Sequence, residues 1–125
     1  MASLDDFLSR LSATRFAYGL SDCAKTIAAW LVENGHPDLS EPFGVYDEGG
    51  AEALLRHFGG LVALCEHGLT SLRVTDQPRR GDVGVVSAAG LLEPMMAICT
   101  GKRWALQGRR GVLICPAKCL KAWTV

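Results

Sequence analysis

The sequence has no excess of charge and no long basic stretch. Its 125 residues contain 13 Lys and Arg against 13 Asp and Glu, so the net charge is zero with neutral histidines. The basic pairs Arg79-Arg80, Lys102-Arg103 and Arg109-Arg110 are short, separated and close to glycines, which is typical of solvated turns. Because nucleic-acid binding needs a basic patch or stripe, we expect no nucleic-acid partner.

The sequence also lacks a long apolar run. No stretch approaches the roughly 20 apolar residues that a membrane-spanning helix needs. The first ten residues, MASLDDFLSR, carry early acidic residues and predict no signal peptide. We therefore expect no membrane span and synthesis in the cytoplasm.

Cysteine is present, but its pattern is not typical of disulfides or of zinc. The five cysteines are widely spread, and an odd number without an export signal indicates reduced thiols. Cys115 and Cys119 have C-x3-C spacing, yet no second pair of ligands lies nearby. We predict no metal site and no cofactor.

The length and the order of local patterns predict a single α+β domain over residues 1–125. Apolar residues recur at helical spacing in the first half, and short apolar runs alternate with turns after residue 70. We predict helices from 4 to near 14 and over 23–34, 51–58 and 61–67, with a loop over 36–50. We predict strands over 72–74, 83–86, 91–99 with an interruption at Pro94, 104–106, 112–115 and 122–125. We also predict a turn over 107–111 and a loop or single helical turn over 116–120.

The second predicted helix begins with a cysteine. Asp22 is a good N-cap residue, because its carboxylate can accept hydrogen bonds from the free N–H groups of the first turn. Cys23 then lies in that turn, where the helix dipole favours the thiolate over the thiol. A thiolate is the nucleophile in cysteine catalysis. The alternative is a small buried apolar residue, since free cysteines are often buried.

Three motifs carry a family resemblance that spans nearly the whole chain. They are Phe16-Ala17-Tyr18-Gly19-Leu20-Ser21-Asp22-Cys23, then Arg80-Gly81-Asp82-Val83 followed by Met95-Met96-Ala97-Ile98-Cys99, and finally Ala122-Trp123-Thr124-Val125. In order and spacing they resemble the NlpC-type, papain-like cysteine peptidases that act on cell walls. More narrowly, they resemble a compact version found among phage and prophage tail genes. The resemblance implies N-terminal helices packed on a small C-terminal antiparallel sheet or partial barrel.

The resemblance also implies the residues of a site. Cys23 is the candidate nucleophile, Asp22 the helix cap and Tyr18 a candidate oxyanion or cleft residue. Met95 occupies the position expected for the catalytic histidine, and Gln107 is the candidate third polar residue. Methionine cannot take a proton from a thiol, so we expect a degenerate catalytic site.

The expected function is therefore a structural part of a phage or prophage tail tip or baseplate hub. Such a protein would lie in the virion tail and contact other tail proteins. The alternative is an active cysteine peptidase that cleaves peptide cross-links of peptidoglycan during DNA entry. Its general base would come from a partner chain or from a histidine of the helical half, where His36, His57 and His67 lie.

A third hypothesis is a wall-binding module without catalysis. Trp30, Trp104 and Trp123 would then line a sugar-binding groove, whereas the competing interpretation places them in the core. Asp82 is either a site residue or, since it follows a glycine before a strand, a turn residue that bonds nearby backbone.

Overall fold

The helices come first and the strands second. The computed structural model describes residues 2–108 and 110–125, and in this part of the chain four α-helices precede six strands. The helices are α1 (Leu4–Ser12), α2 (Cys23–Glu33), α3 (Glu48–Phe58) and α4 (Leu61–Gly68), with a 3-10 turn over Glu41–Phe43. The strands are β1 (Arg73–Thr75), β2 (Val83–Ser87), β3 (Met95–Cys99), β4 (Trp104–Gly108), β5 (Gly111–Cys115) and β6 (Lys118–Thr124). The predicted α+β class is confirmed.

Local side-chain caps decide where the helices begin. Ser3 accepts a hydrogen bond from the Asp6 N–H at the start of α1, and Asp22 does the same for α2. Asp47 accepts from the Gly50 N–H, so α3 begins at Glu48, three residues before its predicted start at Ala51.

All strand pairs in the sheet are antiparallel, in the order β1-β6-β2-β3-β4-β5. The last strand of the chain is thus an interior strand, paired with β1 on one side and β2 on the other. Only β1 and β5 have an outer edge in the described sheet.

Three predictions for the second half are wrong in detail. Residues 116–120 do not form only a loop, because β6 starts at Lys118 and pairs with β2 across a bulge between Val85 and Val86. The return strand predicted over 91–99 starts only at Met95, directly after Pro94, which cannot donate to a strand ladder. Gln107 lies within β4 rather than in a turn.

Each face of the sheet carries its own apolar cluster. One cluster, here the helix-side core, packs α1, α2 and α4 against alternate residues of the strands. The other, the outer-face cluster, is built from the remaining alternate residues, with Trp104 and Leu106 among the largest. Burial on both faces explains why the strands read as short continuous apolar runs.

The three tryptophans belong to these clusters. Trp30 and Trp123 are buried in the helix-side core and Trp104 in the outer-face cluster, so the core interpretation is confirmed and the exposed sugar groove is wrong. The Trp30 indole N–H donates to the carbonyl of Gly81 at 2.7 Å, which joins α2 to the turn before β2. None of the described helices has the length and apolar character needed to cross a membrane.

Candidate functional site

The start of α2 is fixed by a buried carboxylate. Asp22 accepts from the backbone N–H of Lys25 at 2.9 Å and from that of Gly19 at 2.9 Å. The hydroxyl of Tyr46 is also hydrogen-bonded to this carboxylate, and burial together with that bond raises the pKa of Tyr46. The predicted cap is confirmed. Asp22 is 4% exposed, so its interactions fasten two loops to the helix.

Gly19 explains how the two loops come together. Its φ of +75° lies in the left-handed region, and a Cβ atom there would stand 2.2 Å from the carbonyl oxygen of Tyr46. Only glycine fits such a close approach. The backbone of Tyr46 therefore packs directly on the loop that leads into α2.

Cys23 lies at the first turn of α2, as predicted, and its surroundings disfavour the thiolate. Burial, with a smaller contribution from the negative charge of Asp22, raises the pKa of Cys23 to about 11. Hydrogen bonds from the backbone of Met96 and Ala24 lower the pKa, but they do not offset the loss of solvation. Of the two alternatives for Cys23, the direction of this pKa shift favours the partly buried structural thiol over the activated thiolate.

The β3 residue beside Cys23 is Met96, not Met95. Met96 belongs to the helix-side core, whereas Met95 packs with the outer-face cluster on the opposite face of the sheet. This difference follows from the alternation of side chains along a strand. Neither methionine can act as a base, but only Met96 contributes to the surroundings of the thiol.

Gln107 connects the sheet to the helical half through a hydrogen bond. Its side-chain amide donates to the carbonyl of Thr14 at 3.1 Å, and the residue is fully buried. Ile98 pairs with Ala105, so Gln107, two residues further along β4, lies on the same sheet face as Met96. Its carbonyl oxygen has no hydrogen-bond partner among the described residues.

Tyr46 is the tyrosine that sequence reasoning missed at this site. Tyr18, the predicted cleft residue, packs edge-on against Phe16 with ring centroids 5.0 Å apart. Tyr46 reaches Asp22, and Lys25 lies over its ring with its Nζ 5.8 Å from the centroid. A sequence signal existed, because aromatic residues in the acidic loop over 36–50 are suited to hold that loop against the body.

A small apolar cavity lies between α2, the 39–46 segment, α3 and α4. Its volume is about 70 Å³. Cys65 lines it, and burial raises the pKa of that thiol to about 12. At its polar rim, Lys25 donates to the Ser40 hydroxyl and carbonyl. Apart from Cys65, Ser40 and Tyr46, the lining is aliphatic or aromatic, so the cavity is mainly apolar.

The histidines have structural surroundings. His57 and His67 both pack on the ring of Phe58, at centroid distances of 4.9 and 4.8 Å. The backbone N–H of His36 donates to the Leu31 carbonyl at the end of α2. No interaction found in the described part of the chain joins a histidine to Cys23. Nor do three or more His, Cys, Asp or Glu side chains there form a group suited to hold a metal ion.

Comparison with known proteins gives one match. A family model described as a domain of unknown function, DUF6950, matches residues 1–125. No curated protein and no solved structure matches the chain.

Proposed function

The chain belongs to the DUF6950 family over its full length, and we propose that it is a structural component of a phage or prophage tail tip. In this proposal the domain is related to NlpC-type cysteine peptidases and has a papain-like arrangement. The Cys23 site is kept for its packing and hydrogen bonds, not for catalysis. The motif resemblance supports the phage context, and the surroundings of Cys23 support the proposed loss of catalysis.

The relation to papain-like peptidases is supported by how the elements meet. A helix that begins with a cysteine packs across β3 of an antiparallel sheet. The next strand, β4, brings a polar side chain, Gln107, to the same face as the β3 residue beside the cysteine. A nucleophile, a base and an orienting group need this kind of convergence from a helix and two strands.

The surroundings of Cys23 support the proposed loss of catalysis, because no interaction among the described residues joins a histidine to its sulfur. Burial also raises the pKa of Cys23 to about 11, which disfavours the thiolate nucleophile at neutral pH. Met96, whose backbone lies next to Cys23, has no side-chain group that can act as a base, and a positioned base is commonly worth about 10²–10⁴ in rate. Asp22 and Gln107 are both engaged in structural hydrogen bonds.

The proposed contacts with neighbouring tail proteins involve an apolar surface near the start of α2. Leu20 is 66% exposed and Val45 is 74% exposed, and they are the chain neighbours of Gly19 and Tyr46, whose backbones are in close contact. Exposed apolar side chains on adjoining loops are typical of protein contact surfaces. We propose this surface as the one that binds the neighbouring tail protein.

The decisive experiment replaces Cys23 in the phage or prophage that encodes the chain. We expect Cys23→Ser virions to contain the protein, by mass spectrometry of purified tails, and to infect and eject DNA as the parent does. The matched control is Cys119→Ser, an exposed cysteine away from the site. Infection lost only with Cys23→Ser, in tails of normal composition, would overturn the structural proposal. Absence of the protein from purified tails would overturn the tail assignment.

The contact surface has its own test. A Leu20→Asp, Val45→Asp double variant should fold normally but be depleted from purified tails, because two carboxylates would be buried at the interface. Leu92→Asp, at a fully exposed position in the turn between β2 and β3, should be incorporated normally. Equal incorporation of the double variant, the Leu92→Asp variant and the unsubstituted protein would contradict the assignment of the surface.

A peptidase activity is the second candidate function, and one observation favours it. Cys23 retains part of its exposed surface, and backbone groups of Met96 and Ala24 donate toward its sulfur. A partner chain that supplied an imidazole could use this thiol. Release of cleaved cross-links from purified sacculi by assembled tails, lost with Cys23→Ala, would establish this activity.

A further inference from the structure

The two outer edges of the sheet differ in their protection against further pairing. β1 has three residues and carries Arg73, and short edge strands with charges resist pairing with another strand. β5 has five residues, Gly111–Cys115, with no charged residue and no proline. No described strand pairs with its outer edge. β5 is therefore the unprotected edge of the sheet.

The backbone groups at this edge belong to Val112 and Ile114. Gly108 and Gly111 are register partners with two residues between them in the sequence, and a hairpin pair with this spacing is hydrogen-bonded. Hydrogen-bonded and non-hydrogen-bonded pairs alternate along an antiparallel ladder. Alternate residues from Gly111 onward thus bond to β4, which leaves the N–H and C=O of Val112 and Ile114 directed outward.

The side chains at the centre of β5 are apolar and half exposed on both faces. Leu113 is 46% exposed on the outer face, and Ile114 is 48% exposed on the helix side. Val112 is partly buried and packs against the helix-side core. A strand added to this edge would remove both exposed side chains from water.

We propose that a second copy of this chain binds there, with β5 pairing antiparallel to β5 of the partner about a two-fold axis at Leu113. In this register Val112 of each copy lies opposite Ile114 of the other, and these two pairs exchange both hydrogen bonds. Leu113 meets its own symmetry mate in the closely spaced, non-hydrogen-bonded position. Gly111 lies opposite Cys115. The dimer contains one continuous sheet across both copies.

Charge and shape suit a second copy. All residues in the proposed ladder are uncharged, so no like charges face each other. Arg110, just outside the strand, would lie opposite Pro116 and not opposite another arginine. In this register each β-branched Val112 faces a β-branched Ile114, and each Gly111 faces a small Cys115, so only small or apolar side chains oppose each other across the axis. The proposal does not depend on the tail function.

The test is association of the purified full chain by sedimentation velocity over a wide range of concentration. We expect a reversible monomer–dimer equilibrium. Leu113→Lys should weaken dimerisation about tenfold or more, because two leucines lose their burial and two like charges face each other. Val74→Lys, on the opposite edge strand and 53% exposed, should leave it unchanged. A wild-type chain that stays monomeric throughout would overturn the proposal.

Mixing two Leu113 variants tests whether the two-fold axis of the dimer passes through this residue. Leu113→Lys and Leu113→Glu should each be monomeric alone and should form a heterodimer when mixed, because only a self-facing residue can be rescued by its opposite charge. Ile114→Pro provides a second route, since this N–H points away from β4 and its loss should abolish dimerisation while the monomer stays folded by circular dichroism. Failure of the mixed pair to associate would overturn the two-fold register.

Discussion

At the scale of single residues, the pKa of Cys23 is the balance of opposed effects. A helix N-terminus supplies backbone donors that stabilise a thiolate. Burial removes the water that would solvate it, and the nearby carboxylate of Asp22 repels it. Because desolvation is the largest of these effects, position at a helix start does not by itself make a reactive cysteine.

Alkylation of Cys23 should be slow at neutral pH. Its rate with iodoacetamide should keep rising from pH 7 towards a midpoint at about 11, because only the thiolate reacts. Residue-resolved mass spectrometry would separate Cys23 from the other four cysteines, and Cys23→Ser would verify the assignment. A midpoint below the ordinary value of about 8.5 would contradict the raised pKa of Cys23 and favour the peptidase alternative.

Asp22 should contribute more to stability than an ordinary helix cap. Asp22→Ala removes the acceptor of two backbone N–H groups and of the Tyr46 hydroxyl in a buried place, so we expect a loss of about 2–4 kcal/mol. Asp47→Ala removes one exposed cap bond on α3 and should cost about 1 kcal/mol. Urea unfolding measures both. Equal losses would show that the extra partners of Asp22 contribute nothing.

At the scale of elements, the packing of β2 depends on a glycine inside the strand. A Cβ atom at Gly84 would lie 2.9 Å from the Lys121 carbonyl oxygen and 3.0 Å from the Trp104 ring. β6 can approach this closely, and the Trp104 indole can occupy its position, only because Gly84 has no side chain. A glycine within a strand often marks such a close approach.

Gly84→Ala should therefore destabilise the fold by about 1–3 kcal/mol, the usual cost of overpacking. Gly68→Ala is the matched control, because nothing lies within 4 Å of its Cβ position and the residue is helical. There we expect no loss, or a gain of up to about 1 kcal/mol, from higher helix propensity. Thermal and urea unfolding would check both variants, and a neutral Gly84→Ala would refute the close contact.

The sequence predicted which helices and strands exist better than it predicted where they begin and end. Helical spacing predicted all four described helices, N-cap residues marked the first two, and turn residues bounded the strands. The error at α3 comes from a local cap, Asp47, that the sequence reasoning did not use, whereas β6 is longer than predicted because it pairs with a distant strand. Gln107 was placed in a turn because the glycine pair that closes the hairpin comes one residue later.

At the scale of the whole molecule, the last strand completes the sheet and the core. β6 lies between β1 and β2, and Trp123 fills the helix-side core. The backbone N–H of Val125 also donates to Asp82, which accepts from Arg79 as well. Asp82 is thus the predicted turn residue, and it further ties the last residue to the start of β2.

Trp123→Ala should cost about 3–5 kcal/mol, as expected for a large buried aromatic residue. Leu120→Ala, on the same strand but 42% exposed, should cost less than about 1 kcal/mol. Comparison of the urea midpoints of the two variants would check this, provided that the slope of the unfolding free energy against urea concentration is the same for both. Similar losses for both would mean that β6 does not complete the core as described.

The sequence by itself determined the α+β class, the helices, the cap at Asp22 and the place of Cys23 at the start of α2, because these follow from spacing within a few residues. Only the tertiary structure decided the chemistry of that cysteine. Met96 reaches it through the side-chain alternation of β3, and Tyr46 reaches its neighbour Asp22 from a loop over twenty residues away. Desolvation depends on what packs around a group, and no local pattern in a sequence encodes that packing.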